Sequence, residues 1–433
     1  MDTITSDAVG FNMAPSTVMH IDLNSCFASI EQQANPGLRG KPVAVAAYMT
    51  DGGCILTASR EAKVLGVDTG MRVGDARQLC RDLIVLPSDP EKYRYINRKL
   101  VALLHCYTDN VEIKSIDEMV LNLAGSPMLT SLVQKEDACQ STSQAMHRIG
   151  REIKQRIRQD IGDWLTVSIG IATNRYLAKV AAGLHKPDGM DEINGDTVKQ
   201  VLKAMPLEGL TGIKQGYGGQ LRRRGIHSAL SFYQAPSKTL MQAFHSVTGH
   251  HWWLRLHGWE ADDRVFKRKS FGQSYALYKS YPPGDTRVHQ ILCQLTEKMA
   301  RRMRKGGFTA GGIHVGCQFS DYSYWHKGKK LSRPFSSGSD LYKEALSVLG
   351  SAPDVPVRTF AVSCHYLQEA TIEQQQLFED TSKQSSVTRA IDAIADRWGD
   401  FAVMPGLMLG MEHTIHDRIA FGGVKDLQEF VST

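Results

Sequence analysis

Two adjacent carboxylates, Asp117 and Glu118, stand in the middle of VEIKSIDEMVLNL (residues 111–123), between segments that alternate apolar and polar residues as paired strands do. A third acid, Asp22, lies near the end of TVMHIDLN (residues 17–24), which reads as a buried strand. Three carboxylates within a few ångströms of one another cannot all stay ionised without a counter-charge. Divalent cations supply one: a pair of Mg²⁺ ions outweighs the three negative charges and leaves the site able to receive a polyphosphate. An acidic pair at a hairpin is most often only a turn cap. Spacing alone leaves both readings open.

The cations around these acids favour the first. NRYLAKVAAGLHKP (residues 174–187), read as one helix stopping at Pro187, sets Arg175, Lys179 and Lys186 at i, i+4 and i+11 on a single face. TASREAK (residues 57–63) adds Thr57, Arg60 and Lys63. Cations on both sides of a carboxylate cluster are what a nucleoside triphosphate clamped over two metals requires. Either segment taken singly also fits a solvated helix face.

Positioning these groups is the task of the elements between them. After the first strand comes a helix, SCFASIEQQ, and then a block over residues 35–87 with the strand-like KPVAVAAY and a Gly-rich turn, TDGGC. Residues 88–110 are helical by periodicity and lead into the acidic hairpin. MHRIGREIKQRIRQDIG predicts a further helix, LTVSIGIA a strand, and the lysine-bearing helix follows. Strand, helix, hairpin, helix, strand is the order of a ferredoxin-like α+β sheet with residues 35–87 inserted. In that order Asp22 ends its strand beside the hairpin, so Asp22, Asp117 and Glu118 converge.

The chain has 433 residues, 42% hydrophobic and 22% charged, enough for two to four domains. No apolar run reaches the roughly 18 residues of a membrane span, and the opening MDTITSDAVGFNMAPS lacks the pattern of a secretion signal. A cytoplasmic protein without membrane contact is expected. Eight cysteines are scattered without a CxxC pair, which signals neither a zinc site nor a disulfide framework. Residues 264–305 hold eleven Lys and Arg against Asp285 and Glu297, a surplus above the whole chain's +6. With LRRRG at residues 221–225 and KGKKLSR at residues 327–333, this predicts a polyanion track.

HIDLNSCFASIEQQANPGLRGKPVAV, SIDEMVLNL, VSIGIATNRYLAKVAAGLHKPDG and KRKSFGQS follow one another in the order seen in the Y-family translesion DNA polymerases of bacterial type, which the chain resembles over roughly residues 18–370. The resemblance implies a right-hand α+β architecture. Residues 17–34 and 88–186 would form a ferredoxin-like palm, 35–87 small fingers, 187–259 a helical helix-hairpin-helix thumb, and 260–368 a separate α/β little finger. Residues 1–16 would be a flexible extension and 369–433 a tail. It also implies that Asp22, Asp117, Glu118 and the Leu23 carbonyl hold two Mg²⁺. Phe27 would be a steric gate under the incoming sugar, with Thr57, Arg60, Lys63 and Lys179 on the triphosphate. The chain departs from the family pattern at Asn24, where a second Asp is usual but is not a ligand. Arg60 replaces a usual Tyr and Lys63 a usual Arg, which costs the two-pronged contact of a guanidinium.

LEGLTGIKQGYGGQLRRRGI (residues 207–226) resembles one helix-hairpin-helix, whose Gly turns bring backbone N–H groups up to DNA phosphates, with Lys214, Arg222 and Arg223 around it. Arg268, Lys269, Lys329, Lys330 and Arg333 are the expected DNA contacts further on. Trp252 and Trp253 read as core. QQQLF (residues 374–378) resembles the peptide by which bacterial polymerases hold the sliding clamp, with Gln374, Leu377 and Phe378 as anchors. Beyond it Val387, Ile391, Ile394 and Trp398 share one helical face, so the last fifty or so residues are expected to fold or dock. The implied activity is error-prone, template-directed addition of dNTPs to a primer 3′-OH by a monomeric enzyme acting in translesion synthesis and DNA repair, with no segment left for proofreading. Two other classes compete with it. A non-catalytic polymerase-like accessory protein has no need of all three acids, and a palm-domain nucleotide cyclase has none of the thumb and basic track.

Overall fold

The computed structural model of the chain describes residues 10–134, 141–263, 268–370, 381–411 and 419. They divide into two compact units, the first ending and the second beginning within residues 264–267, with Ile419 belonging to the first.

In the first unit, β1 (Val18–Leu23) is buried along nearly its whole length, and the fingers block folds into β2 (Val43–Ala46), β3 (Ile55–Ala58) and β4 (Ile84–Pro87). The acidic hairpin is β5 (Val111–Ile113) and β6 (Glu118–Asn122), followed by β7 (Val167–Ala172) and β8 (Met190–Ile193). The main sheet runs β5-β6-β1-β7-β8, and its first four strands are antiparallel in the ferredoxin-like order. The fingers sheet is separate, β3-β2-β4, around its own core of Ala44, Ala46, Ile55, Ala58, Val73 and Ala76.

Alternation along the main sheet decides which side carries chemistry. Met19, Ile21, Leu23, Met119, Leu121, Ile169 and Ile171 join a core with the helices Cys26–Ala34, Pro90–Leu104 and Thr142–Arg156. That leaves Val18, His20, Asp22, Glu118, Val120, Ser168 and Gly170 for the opposite face. There the helix Arg175–Ala182 lies close to β7, because a Cβ on Gly170 would sit 1.9 Å from the Ala178 carbonyl oxygen and 2.2 Å from the Ala182 nitrogen. Asn174 starts this helix, its side chain accepting from the Leu177 N–H at 2.8 Å.

Three expectations change here. The lysine-bearing helix ends at Ala182 with Gly183 as its cap, before Pro187, so Lys186 is not on the helical face of Lys179 but on the connection that follows. Strand β8, parallel to β7, extends the sheet where no strand was expected, since MDEI carries little apolar signal. Residues 10–14 do not hang free. Asn12 donates from its backbone to the His257 carbonyl at 2.8 Å, and the Gly10 carbonyl accepts from the Trp259 indole at 3.0 Å.

Helices between residues 198 and 256 complete the unit and bury Trp252 and Trp253. Trp252 meets Tyr176 edge-on at 5.2 Å, and Trp253 stacks on His257 at 4.0 Å.

The second unit is a four-stranded antiparallel sheet, ordered β11-β10-β12-β9, of β9 (Ser270–Tyr281), β10 (Phe308–Phe319), β11 (Tyr324–Phe335) and β12 (Val357–Glu369). The helices Thr286–Lys305 and Gly338–Leu349 cover one face, over a core including Leu292, Leu295, Ile313, Val315, Leu341 and Phe360. The helix Thr381–Trp398 packs beside them. Asp392 forms an ion pair with Arg304 and Asp396 one with Arg301, each at 2.7 Å, and Asp400 also meets Arg301. Val387 and Ile391 line a cavity of about 320 Å³ in this unit, while Trp398 stays 70% exposed, so the tail docks through acids as much as through its apolar stripe.

Candidate active site

Register brings the first two acids together: Asp22 on β1 is directly opposite Glu118, the first residue of β6. Asp117 precedes it in the turn, where its carbonyl accepts from the Leu23 N–H at 2.9 Å, and Asn97 on the helix Pro90–Leu104 pins the turn through the Ile116 carbonyl at 2.8 Å. Ser115 donates its hydroxyl to Asp117 Oδ1 at 2.5 Å.

Two lysines close on the acids. Lys186 Nζ lies 2.5 Å from Asp22 Oδ2, and Lys179 Nζ lies 2.5 Å from Glu118 Oε2. Arg175, the third cation of the sequence pattern, turns away and pairs with Glu112 at 2.9 Å and Glu260 at 2.8 Å. Burial is the main force on the carboxyls. It raises Asp22 from 3.8 to about 6 against the pull of Lys186, with Asp117 and Glu118 adding repulsion. Asp117 is raised too, by burial first and by Glu118, while Ser115 and Lys186 act the other way.

His20 was not anticipated. It stands two residues before Asp22 on the same strand face, 1% exposed, with no hydrogen-bond partner on either ring nitrogen and Nε2 3.8 Å from Glu118 Oε2. Burial first, then Lys179, Lys186 and Lys114, hold its pKa near 3, so the ring is neutral. Among the described residues, His20, Asp22 and Glu118 are the one set of three metal-donor side chains whose donor atoms lie within 4.8 Å of one another. A histidine two residues before Asp22, on the same strand face, was the available signal. Asn24 is also explained. Its amide donates to Ser168 Oγ at 2.9 Å and accepts from the Asp188 N–H at 2.8 Å, a neutral joint between strand end and loop that an ionised Asp could not make on the donor side.

The donor set fits a divalent ion. Buried carboxylate oxygens meet at the adjoining ends of the interior strands β1 and β6 and draw the chain's own ammonium groups onto them, as cation sites do. Asp22, Glu118 and Asp117 could each offer an oxygen.

Phe27 is 6% exposed and stacks on Tyr93, ring centroids 4.2 Å apart and planes 12° from parallel. Thr57 lies on β3, and Arg60 and Lys63 are exposed on the short helix Arg60–Val64, capped by the Ser59 hydroxyl accepting from the Ala62 N–H. Desolvation first lowers the Lys63 pKa and Lys186 adds to it, while Asp68, Asp22 and Asp117 pull it up, which ties this fingers lysine electrostatically to the acids.

The expected DNA contacts are more dispersed. Lys214 is the exposed N-cap of the helix Gln215–Arg222, Arg222 is engaged by Glu208, and Arg223 is exposed. In the second unit Arg268 lies over Phe271 at 4.3 Å and precedes Lys269, and Arg333 lies over Phe335 at 5.2 Å. Lys329 and Lys330 fall on opposite faces. Lys329 is opposite the core residue Ile313 and pairs with Glu344 at 2.5 Å, whereas Lys330 is opposite Gly312 on the outer face. Part of the basic window is already neutralised, since Arg301 and Arg304 serve the acids of the tail helix. Gln374, Leu377 and Phe378 lie outside the described residues.

Residues 21–183 match the impB/mucB/samB family and residues 268–377 the C-terminal domain of that family. DNA polymerase IV of Moorella thermoacetica is 30% identical over 392 residues, spanning 89% of this chain and 94% of that protein. DNA polymerase IV 2 of Bacillus subtilis is 27% identical over 420 residues, 94% of this chain and 98% of that one. Among solved structures, a Y-family DNA polymerase chimera of Dbh and Dpo4 superposes with a TM-score of 0.68 at 24% identity, over 81% of this chain and 98% of the other. An insertion ternary complex of Dbh DNA polymerase gives 0.54 at 24% identity, over 80% and 98%. Both family models and these relatives match most of the chain, and the chain belongs to the impB/mucB/samB family, the bacterial Y-family DNA polymerases.

Proposed function

We propose that the chain is a translesion DNA polymerase that copies a template by adding dNTPs to a primer 3′-OH, and that Asp22, Asp117 and Glu118 are its catalytic carboxylates. Family membership supports the polymerase activity, its use of divalent metal ions, and primer–template DNA and dNTP as substrates. One observation carries the assignment of the site: the Asp22–Glu118 pair across β1 and β6, with a lysine ammonium 2.5 Å from each carboxylate.

Two Mg²⁺ ions held by Asp22, Asp117, Glu118 and the Leu23 carbonyl would lower the pKa of the primer hydroxyl and offset charge on the departing pyrophosphate. The chain's own groups do the rest. Ser115 and Asn97 hold the acidic turn in place, so the carboxylates need little reorganisation when substrate arrives. Lys179, freed from Glu118, joins Thr57, Arg60 and Lys63 in holding the triphosphate, and Lys186, freed from Asp22, adds a further cation on the same side. Phe27 lies under the sugar and excludes a 2′-OH. Lys214, Arg222, Arg223, Arg268, Lys269, Lys329, Lys330 and Arg333 bind the DNA backbone, and Gln374, Leu377 and Phe378 bind a sliding clamp, in a monomeric cytoplasmic enzyme. No helix among the described residues is long and apolar enough to cross a membrane. Primer extension with each dNTP offered singly against each template base tests this function. Incorporation that follows the template is expected, and incorporation blind to it would refute the proposal.

A further inference from the structure

The outer face of the second unit's sheet, the side away from its two covering helices, carries three histidines on three adjacent strands. His314 is on β10, opposite Gly328 of β11 and Ser363 of β12. His326 is opposite Gly316 and His365 is opposite Gly312, so each is a diagonal neighbour of His314, one on either side. The glycines make room for the rings. A Cβ on Gly312 would come within 2.4 Å of His365 Nε2, and one on Gly328 within 3.5 Å of His314 Cδ2.

The closest approach is between the first two rings, with His314 Nε2 3.2 Å from His326 Nδ1. Between neutral imidazoles this is an N–H···N hydrogen bond. The same spacing suits two ligands of one ion, because Zn–N bonds of about 2.0–2.1 Å at a tetrahedral angle set two nitrogens roughly 3.3 Å apart. Metal binding needs the neutral ring. His314 is held below its ordinary pKa by burial first, then by His326 and His365, which keeps its lone pair available. Imidazole nitrogens select borderline ions over the hard, oxygen-seeking Mg²⁺. This face is therefore chemically distinct from the carboxylate site on β1 and β6.

We propose that His314 and His326 form a two-imidazole cross-strand site for a divalent transition-metal ion of the Zn²⁺, Ni²⁺ or Cu²⁺ class. The ion would replace the single N–H···N contact and tie β11, the edge strand of the sheet, to β10.

Cu²⁺ titrated into the full-length, chelator-treated protein tests it, read by electron paramagnetic resonance for nitrogen hyperfine coupling and by calorimetry for stoichiometry. The parent should bind one ion with coupling to two imidazoles. His326→Gln should lose that ion or bind it at least tenfold more weakly, and His314→Ala/His326→Ala should lose the coupling. His326 is exposed, so the single variant should fold as the parent does, and unchanged primer extension in Mg²⁺ would verify this. Equal stoichiometry and affinity in parent and His326→Gln, or two-imidazole coupling that survives in the double variant, would overturn the site.

Discussion

At the residue scale, the cost of gathering acids is measurable without substrate. Asp22 binds its proton more tightly in the folded chain, near 6, than at the 3.8 of an unfolded one. Its ionisation as pH rises through about 6 therefore lowers the stability of the metal-free protein, and below about 4 this penalty is absent. Asp22→Asn should consequently be more stable than the parent at about pH 7.5 without divalent ions, by on the order of 1–3 kcal/mol, and the gap should close toward about pH 4. Denaturant unfolding in a chelating buffer at both pH values measures this; a gap independent of pH would mean Asp22 is not raised. Phe27 makes a second case, because its ring both packs on Tyr93 and is proposed to face the sugar. Phe27→Ala should cost about 3 kcal/mol, as large-to-small core changes do, and should also raise the ratio of ribonucleotide to deoxynucleotide incorporation by at least about tenfold. Loss of stability with an unchanged ratio would make Phe27 a core residue alone.

At the element scale, the reach of Lys179 depends on how closely the helix Arg175–Ala182 lies on β7. Gly170→Ala would place a methyl 1.9 Å from the Ala178 carbonyl oxygen, so the helix must lift. About 2 kcal/mol of lost stability and a reduced extension rate are expected, measured by thermal unfolding and single-turnover kinetics. A variant matching the parent in both would show that the close approach is not needed. Much of this arrangement was legible in the sequence, because a period-two pattern fixes which residues share a sheet face and the order strand, helix, hairpin, helix, strand fixes which strands are neighbours. Asp22 and Glu118 could be paired on that basis. What escaped had weak local signals: the helix end at Ala182, set by Gly183 several residues before the obvious Pro187, and β8, whose MDEI pairs along an edge without an apolar alternation. His20 escaped because attention to Asp22 as the acid of that strand raised no question about the histidine two residues before it on the same face. The partners of Arg301 and Arg304 escaped because Asp392 and Asp396 lie about 90 residues further along the chain.

At the scale of the whole molecule, a polymerase must hold DNA by its backbone whatever the sequence. Each phosphate neutralised should contribute about 0.9 to the slope of log K against log salt. Replacing Lys269, Lys330 and Arg333 with Ala should flatten that slope by roughly 2–3 and weaken all duplexes alike in fluorescence-anisotropy titrations. An unchanged slope would move the DNA surface elsewhere. Arg301→Ala and Arg304→Ala should change it little, since those charges are held by the tail helix. DNA synthesis is proposed to be performed by the acids of β1 and the β5–β6 turn. Single-nucleotide primer extension by the parent and by Asp117→Ala, on the same primer–template with the matching dNTP and Mg²⁺, tests it most directly, alongside the DNA affinity of each. Extension by the variant should fall about 10³-fold or more, the loss of several kcal/mol of transition-state stabilisation, with DNA affinity within about twofold of the parent. Extension by Asp117→Ala at a rate near the parent's would contradict the account.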